Sequence, residues 1–400
     1  MRILQICPRV PWPPLDGGRV AMLQLTQSLG RAGAQVDVAS LNQAKFPVDA
    51  AAASAALAPA RLDAVDINTS SLLRAAMRMR RLRAPLLVAR FYSPRFERLF
   101  RESLRVGRYD VVHIEGQFLL PYVPAIRKET RAPIVLRVHN VEFRIWERLA
   151  AQAAGIHAQG LQHIARTLGA WETTHLDDCD ALVPIADEDD RDLRALGATR
   201  PSLVLPCGID TREPRATAEI DPHRVYFIGS MLYRPNQEAV RWLADEVWPR
   251  VLALEPRARL TVAGSSFPAA LREHLIQRSI DVASDVPDVR AFSAPFRAML
   301  APLFSGSGMR IKVLEAMALG KPVIATPLGA GGIDVTTGEN ILLAENPAEL
   351  AQHVVRCMND DALAQRIGNA ARALVVERYD ADVLARKLLG FYEELLRKAS

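Results

Sequence analysis

The sequence predicts an α/β protein of two doubly wound, parallel-sheet lobes, and three observations predict it. Its 400 residues exceed what one hydrophobic core usually organises, since domains commonly hold about 100–200 residues. Apolar runs of strand length alternate with helical patterns through both halves, which signals parallel βαβ units. Residues 206–224, dense in proline and charge, separate the two sets of runs. The expected organisation is a first domain over residues 1–205, a linker over 206–224 and a second domain over 225–380. Residues 381–400 repeat Leu and Tyr at helical spacing and are expected to cross back as a helix that braces the first domain.

In the first half, residues 3–6, 36–41, 111–114, 134–138 and 181–185 read as strands. Met1-Arg2-Ile3-Leu4-Gln5-Ile6-Cys7 meets Pro8 with no charged segment and long apolar core, so it reads as a first strand rather than an export signal. Asp16, Gly17 and Gly18 follow it and precede a helix carrying Val20, Leu23 and Leu29. Such a loop suits close approach to a phosphate or an acceptor, and a plain turn explains the glycines nearly as well. Ligands of open parallel sheets bind outside the carboxyl ends of the strands. His113 and Glu115 end one strand there, and Arg137, His139 and Asn140 end the next. Asp178-Cys179-Asp180 resembles a D-x-D metal motif but leads into a strand instead of leaving one, so no metal is assigned to it. Asp187 to Asp190 read as a helix start whose carboxylates complement the helix dipole.

The second half repeats the pattern, with strands expected at 225–228, 260–263, 299–304, 322–326 and 341–344. Its sharpest motif is Gly306-Ser307-Gly308-Met309-Arg310-Ile311-Lys312, a glycine loop between a strand and a helix over 311–319 that Gly320 and Pro322 close. Loop amides, the helix dipole and two cations together suit a diphosphate. Arg310 and Lys312 at a helix amino terminus oppose the dipole, an arrangement that makes sense where something negative sits. The spacing is neither G-x-x-x-x-G-K-[ST] nor G-x-G-x-x-G, which excludes a P-loop kinase by its own motif. Glu315 lies among Leu314, Ala316 and Met317, where sugar hydroxyls would partner it; a solvent-facing helix glutamate fits the spacing too.

Composition closes other routes. Half the residues are apolar and 24% are charged, an ordinary globular balance rather than a disordered or collagen-like one. No apolar run reaches the roughly 18 residues of a membrane span. Four scattered cysteines without a C-x-x-C pair fit reduced thiols, and His157, His163 and His175 lack zinc-protease spacing. Net charge is +5, yet residues 71–108 hold eleven arginines against Glu97 and Glu102, so the remainder is net acidic. Interleaved with Leu, Met and Phe, these arginines suit a helix on an anionic bilayer or a solvated helical face. No helix-turn-helix, zinc-finger or RNP-type string accompanies them, and no nucleic-acid partner is expected.

The run SGSGMRIKVLEAMALGKPVIATPLGAGG, residues 305–332, resembles the signature region of the family 4 glycosyltransferases. These are retaining enzymes of the GT-B architecture: two Rossmann-like lobes with an interdomain cleft. The likeness covers the whole chain: Met1-Arg2-Ile3-Leu4 with Asp16-Gly17-Gly18 resembles the amino-terminal strand and loop. Pro206-Cys207-Gly208-Ile209-Asp210 is similar to the pre-linker motif, and Phe227-Ile228-Gly229-Ser230-Met231 to the opening of the second lobe.

The resemblance implies transfer of a sugar from a nucleotide diphosphate sugar, held mainly by the second lobe, to a glycan or lipid-linked acceptor held by the first. It implies retention of anomeric configuration and neither metal nor cofactor beyond the donor. Of the family's E-x7-E pattern, Glu315 matches the ribose-binding second glutamate, while Ser307 stands where the first would orient the donor sugar. Gly229 is followed by Ser230 and Met231 in place of the usual Arg and Lys, so diphosphate charge falls to Arg310, Lys312 and Arg234. His139 occupies the position beside the donor sugar. The implied set is thus His139, Arg310 and Lys312 as catalytic groups. Gly229, Ser230, Arg234, Ser307, Gly308, Met309 and Glu315 bind the donor, and Asp16, Gly17, Gly18, His113 and Glu115 form the acceptor or phosphate side. The Gly-Ser-Gly-x-Arg-x-Lys form resembles a subgroup of bacterial exopolysaccharide and surface-glycan assembly. The reduced thiols fit a cytoplasmic enzyme, and the basic segment of the first lobe suits peripheral contact at the inner face of the membrane. A nucleotide-sugar epimerase and a non-catalytic glycan-assembly partner are the rival expectations.

Overall fold

In the computed structural model, which describes residues 1–14, 16–212, 218–306 and 308–399, twelve strands form two six-stranded parallel sheets. The chain divides into two units, Met1–Gly208 with Ala381–Ser400, and Ile209–Asp380.

In the first unit, β1 (Arg2–Cys7), β2 (Gln35–Gln43), β3 (Arg61–Ile67), β4 (Val111–Glu115), β5 (Ile134–Val138) and β6 (Ala181–Pro184) lie in the order β3-β2-β1-β4-β5-β6. Every residue of β4, β5 and β6 is buried, as expected of parallel strands covered on both faces. Strand order reverses between β1 and β4, which puts the topological switch point, and with it the ends of β4 and β5, where such sheets bind ligands. β3 was not among the expected strands. It is an edge strand whose charged and apolar residues alternate, so it lacks the continuous apolar run that marks its neighbours.

The second unit repeats the plan with β7 (Asp221–Ile228), β8 (Arg259–Gly264), β9 (Asp281–Ser284), β10 (Phe296–Ala301), β11 (Val323–Ala325) and β12 (Leu342–Leu343), ordered β12-β11-β10-β7-β8-β9. β9, a four-residue edge strand with two exposed ends, likewise lacks the apolar run that marks a central strand. The strand expected at 299–304 sits at Phe296–Ala301: Leu303 is buried against the core, but Pro302 offers no ladder donor and the strand stops before it. β7 begins at Asp221, inside the stretch read as linker.

The terminal helix Ala381–Ala399 belongs to the first unit, as the helical spacing indicated. Leu384, Leu388, Tyr392 and Leu395 pack with Met22, Leu25 and Leu29 of the opening helix Gly17–Arg31, and Arg31 pairs with Asp382. Gly208 makes room for this return, since a Cβ there would lie 2.7 Å from the Cα of Ala381.

The basic segment is three helices rather than one lipid-facing helix: Leu72–Leu82, Leu86–Ala89 and Pro94–Val106. The last is a core element. Phe96, Phe100 and Leu104 are buried, and Arg101 and Arg105 both pair with Glu129. The first presents another picture, with Leu72, Leu73 and Met77 exposed beside Arg74, Arg80 and Arg81. Among the described residues no helix is long and apolar enough to cross a membrane.

Candidate functional site

In the second unit the motif forms as a strand, a glycine loop and the helix Ile311–Ala318. Gly306 has φ of +104°, and a Cβ there would lie 2.3 Å from the Tyr233 hydroxyl, so both conformation and space call for glycine. Ser307 lies outside the described residues; Gly308 is exposed and Met309 half-buried. Burial lowers the Arg310 guanidinium's pKa, against which a hydrogen bond with Tyr233 works, and its Nε donates to the Leu328 carbonyl at 3.3 Å. Arg310 and Tyr233 thus both lie against Gly306.

Lys312 turns to the end of β7, its Nζ 3.2 Å from the Ile228 carbonyl next to Gly229. Burial pushes its ammonium down to about 8, although the Glu315 carboxylate pulls the other way. Glu315 is raised by the same burial, opposed by Lys312 and then Arg290. Its carboxyl accepts no hydrogen bond from the described residues, so both oxygens are open to hydroxyl donors. Gly229 bonds to the Ala263 carbonyl, and the Ser230 carbonyl accepts from Asn236 at 2.8 Å. The structure thus gathers Gly229, Ser230, Lys312 and Glu315 at the carboxyl end of β7, with the glycine loop and Arg310 joined through Tyr233. Arg234 is 87% exposed and paired with Glu238 at 2.8 Å, along its own helix. Tyr233, Asn236 and Arg290 were not singled out in the sequence. Tyr233 stands in the loop after a strand, where an aromatic has many uses, and Arg290 reaches Glu315 only through the tertiary fold.

In the first unit, adjacency of β4 and β5 brings His113, Glu115 and His139 together. Glu115 is fully buried; its Oε2 lies 2.7 Å from His139 Nε2, and its Oε1 accepts from Gln5 at 2.7 Å and lies 3.2 Å from His113 Nε2. Burial by itself would raise the Glu115 carboxyl, but the facing rings of His113 and His139 outweigh it and hold the group well below the usual carboxylate range. Asp16 caps the opening helix through Arg19 N and pairs with Arg9 at 3.0 Å, with exposed Gly17 and half-buried Gly18 behind it. A second carboxylate pair, absent from the sequence reading, adjoins. Burial, then Glu172, pushes the Glu142 carboxyl up to about 8, while Glu172 accepts from Gln117 at 2.9 Å. Asp180 instead holds Arg127 and the Ile134 amide, a structural role, and no cluster of metal-ligating side chains occurs among the described residues.

The family model "Glycosyltransferase Family 4" matches residues 15–213, and "Glycosyl transferases group 1" matches 222–360, so the two span most of the chain. An uncharacterized 44.6 kDa protein of the cps region of Klebsiella pneumoniae is 21% identical over 393 residues, covering 95% of this chain and 97% of that protein. The phosphatidyl-myo-inositol mannosyltransferase of Mycobacterium tuberculosis is 27% identical over 219 residues, 50% of this chain and 56% of its own. Among solved structures, Anabaena HepE in complex with UDP and glucose aligns with TM-score 0.67 at 15% identity, over 98% of this chain and all of that one. Sucrose-phosphate synthase from Thermosynechococcus elongatus aligns with TM-score 0.68 at 18% identity over the whole of both chains.

Proposed function

The chain belongs to glycosyltransferase family 4 and is a glycosyltransferase of the two-lobed GT-B fold, and from that premise we propose that it moves a sugar from a nucleotide diphosphate sugar to a glycan or lipid-linked acceptor, with retention of anomeric configuration, in the assembly of a bacterial surface or extracellular polysaccharide. The observation that carries this is the cluster at the end of β7, where the half-buried Lys312 ammonium and the open carboxyl of Glu315 stand one helical turn apart on Ile311–Ala318. A diphosphate meets the first and a ribose diol the second. HepE, solved with UDP and with UDP-glucose, and the relative from a cps region support the donor class and the pathway.

Breaking the anomeric C–O bond leaves negative charge on the departing diphosphate and positive charge on the sugar ring. Preorganised cations and amides at the leaving group are then the main catalytic demand. Arg310 and Lys312 are assigned that charge, with the Gly308 and Met309 amides and Ser307 completing the loop, and Gly229 and Ser230 lie against the same phosphates. Glu315 holds the ribose. His139 is the first-lobe group assigned to the donor sugar, with His113, Glu115 and the Asp16-Gly17-Gly18 loop on the acceptor side. Transfer so assigned needs no metal and no cofactor beyond the donor.

Incubation with a panel of uridine and guanosine diphosphate sugars and a lipid-linked acceptor tests this. The expected outcome is release of nucleoside diphosphate with a matching gain in acceptor mass, and a product whose anomeric coupling equals the donor's. Isomerised nucleotide sugar without release would instead identify an epimerase, and binding without turnover a non-catalytic partner. Neither rival is favoured by the matched families.

A further inference from the structure

Behind His139 runs a row of polar side chains, hydrogen-bonded at both ends and in close contact at its middle, that no catalytic assignment above uses in full. From His139 Nε2 it passes at 2.7 Å to Glu115 Oε2, then from Glu115 Oε1 across a 3.2 Å contact that falls outside hydrogen-bond geometry to His113 Nε2, and from His113 Nδ1 at 2.5 Å to the hydroxyl of Tyr392. Gln5 donates to Glu115 Oε1 from β1 and in turn accepts from Thr26 at 2.6 Å. Tyr392 arrives from 279 residues further along, on the helix Ala381–Ala399.

The chain has one open end. Gln5, His113, Glu115 and Tyr392 are all 0% exposed, whereas the His139 side chain keeps 21% of its surface. Whatever the buried charge accomplishes is therefore delivered at His139. A role in folding alone would be met more cheaply by apolar side chains, like Val111, Val135 and Val183, which share this core with Leu388 and Tyr392. A buried carboxylate is instead retained, with Arg137, also buried, in register beside it.

We propose that Glu115 is a positioning residue for His139, fixing its ring and its proton, and that Tyr392 on the crossover helix anchors the other end of the chain through His113. This rests on the assignment of His139 to the donor sugar. An imidazole whose Nε2 faces an ionised, buried carboxylate keeps its proton on that nitrogen, so Nδ1 is presented as the free lone pair. His113 is set from the other side: its Nδ1 accepts from Tyr392, whose burial raises its pKa so that the hydroxyl keeps its proton, which leaves the ring proton on Nε2, 3.2 Å from Glu115. The other titratable groups around Glu115 are Cys7 from β1, Arg137 from β5 and Cys207.

The test is long-range 1H–15N correlation on protein labelled with 15N-histidine, alongside steady-state kinetics, for the intact chain and for Glu115→Gln and Tyr392→Phe. The expected result is a His139 ring protonated at Nε2 in the parent and a changed tautomer pattern in Glu115→Gln. With it kcat falls about ten- to a hundredfold, the loss typical of removing a histidine's orienting partner, while donor KM changes little. Tyr392→Phe, which keeps the ring and its packing, is expected to shift the His113 signals and lower kcat to a smaller extent. His139 signals unchanged in Glu115→Gln would overturn the proposal, as would a kcat loss that only tracks the fraction of unfolded protein. Unchanged turnover in His139→Asn would overturn the donor-sugar assignment instead, and the ring-nitrogen signals would still decide whether Glu115 positions His139.

Discussion

Lys312 carries a charge that its surroundings tolerate poorly, and that makes it the most testable residue of the second lobe. Burial brings its ammonium down to about 8. An arriving diphosphate favours the cation, so binding takes up a proton above that value and donor affinity must fall as pH rises from 7 to 9. Lys312→Met is expected to weaken nucleoside diphosphate binding at pH 7 and to flatten this pH dependence; calorimetric titration at both pH values checks it, and an unaltered profile sinks the assignment. Arg310 is expected to act on the leaving group, so Arg310→Ala should slow turnover by about a hundredfold or more, the cost of losing one oxyanion donor. Near-parental turnover rules that out. In the first lobe, the folded-state pKa of Glu142 is raised, so its contribution to stability is present below the ordinary carboxylate pKa and is lost as pH rises toward about 8. Glu142→Gln should accordingly raise Tm more at pH 8.5 than at pH 5, with equal shifts at both as the contrary result. Of these three residues, Arg310 and Lys312 were legible in the sequence because their charge contradicts the helix dipole. Glu142 was not, because only the fold brings Glu172 beside it.

Elements show where sequence reading stops. Central strands such as β4 and β5 announce themselves as unbroken apolar runs because both faces are covered. The edge strands β3 and β9 are half-solvated, and their mixed composition reads as loop. The basic segment shows the same limit: composition located the charge but not the breaks that make three helices of it. Only Leu72–Leu82 keeps an outward face in which Leu72, Leu73 and Met77, 70, 74 and 60% exposed, alternate with arginines. Ala75 alone of its residues is fully buried. Exposed Leu and Met beside Arg suit the interface of an anionic bilayer, where the apolar tips enter the acyl boundary and the guanidiniums meet lipid phosphates. If this helix docks a lipid-linked acceptor's membrane, the protein sediments with vesicles containing phosphatidylglycerol at low salt and is released by high salt. Arg80→Glu with Arg81→Glu is expected to abolish sedimentation while leaving turnover on a soluble acceptor analogue. Equal sedimentation with neutral vesicles would refute the electrostatic part.

At the scale of the molecule, the sequence disclosed two lobes and a returning helix, because periodicity and length survive without knowledge of contacts. It could not disclose which helix the return packs on, since Leu384, Leu388 and Tyr392 would look the same against any apolar face. That pairing makes the last residues of the chain part of the stability of its first. Leu388 is fully buried in the cluster that also holds Met22, Leu25 and Leu29. Truncation to Ala removes buried methyl groups and leaves a cavity, a loss of about 2–5 kcal/mol at such sites. The loss must fall on the unit that owns the cluster. Hydrogen exchange is therefore expected to quicken in the opening helix Gly17–Arg31 and in β1, more than 350 residues away in sequence, and to stay unchanged in β7, β8 and the helix Ile311–Ala318. Nucleoside diphosphate affinity, a property assigned to the second unit, should survive Leu388→Ala. Exchange that quickened equally in both units would mean that they open as one cooperative body, and the helix would then have to be counted as a brace of the whole chain rather than of its first lobe.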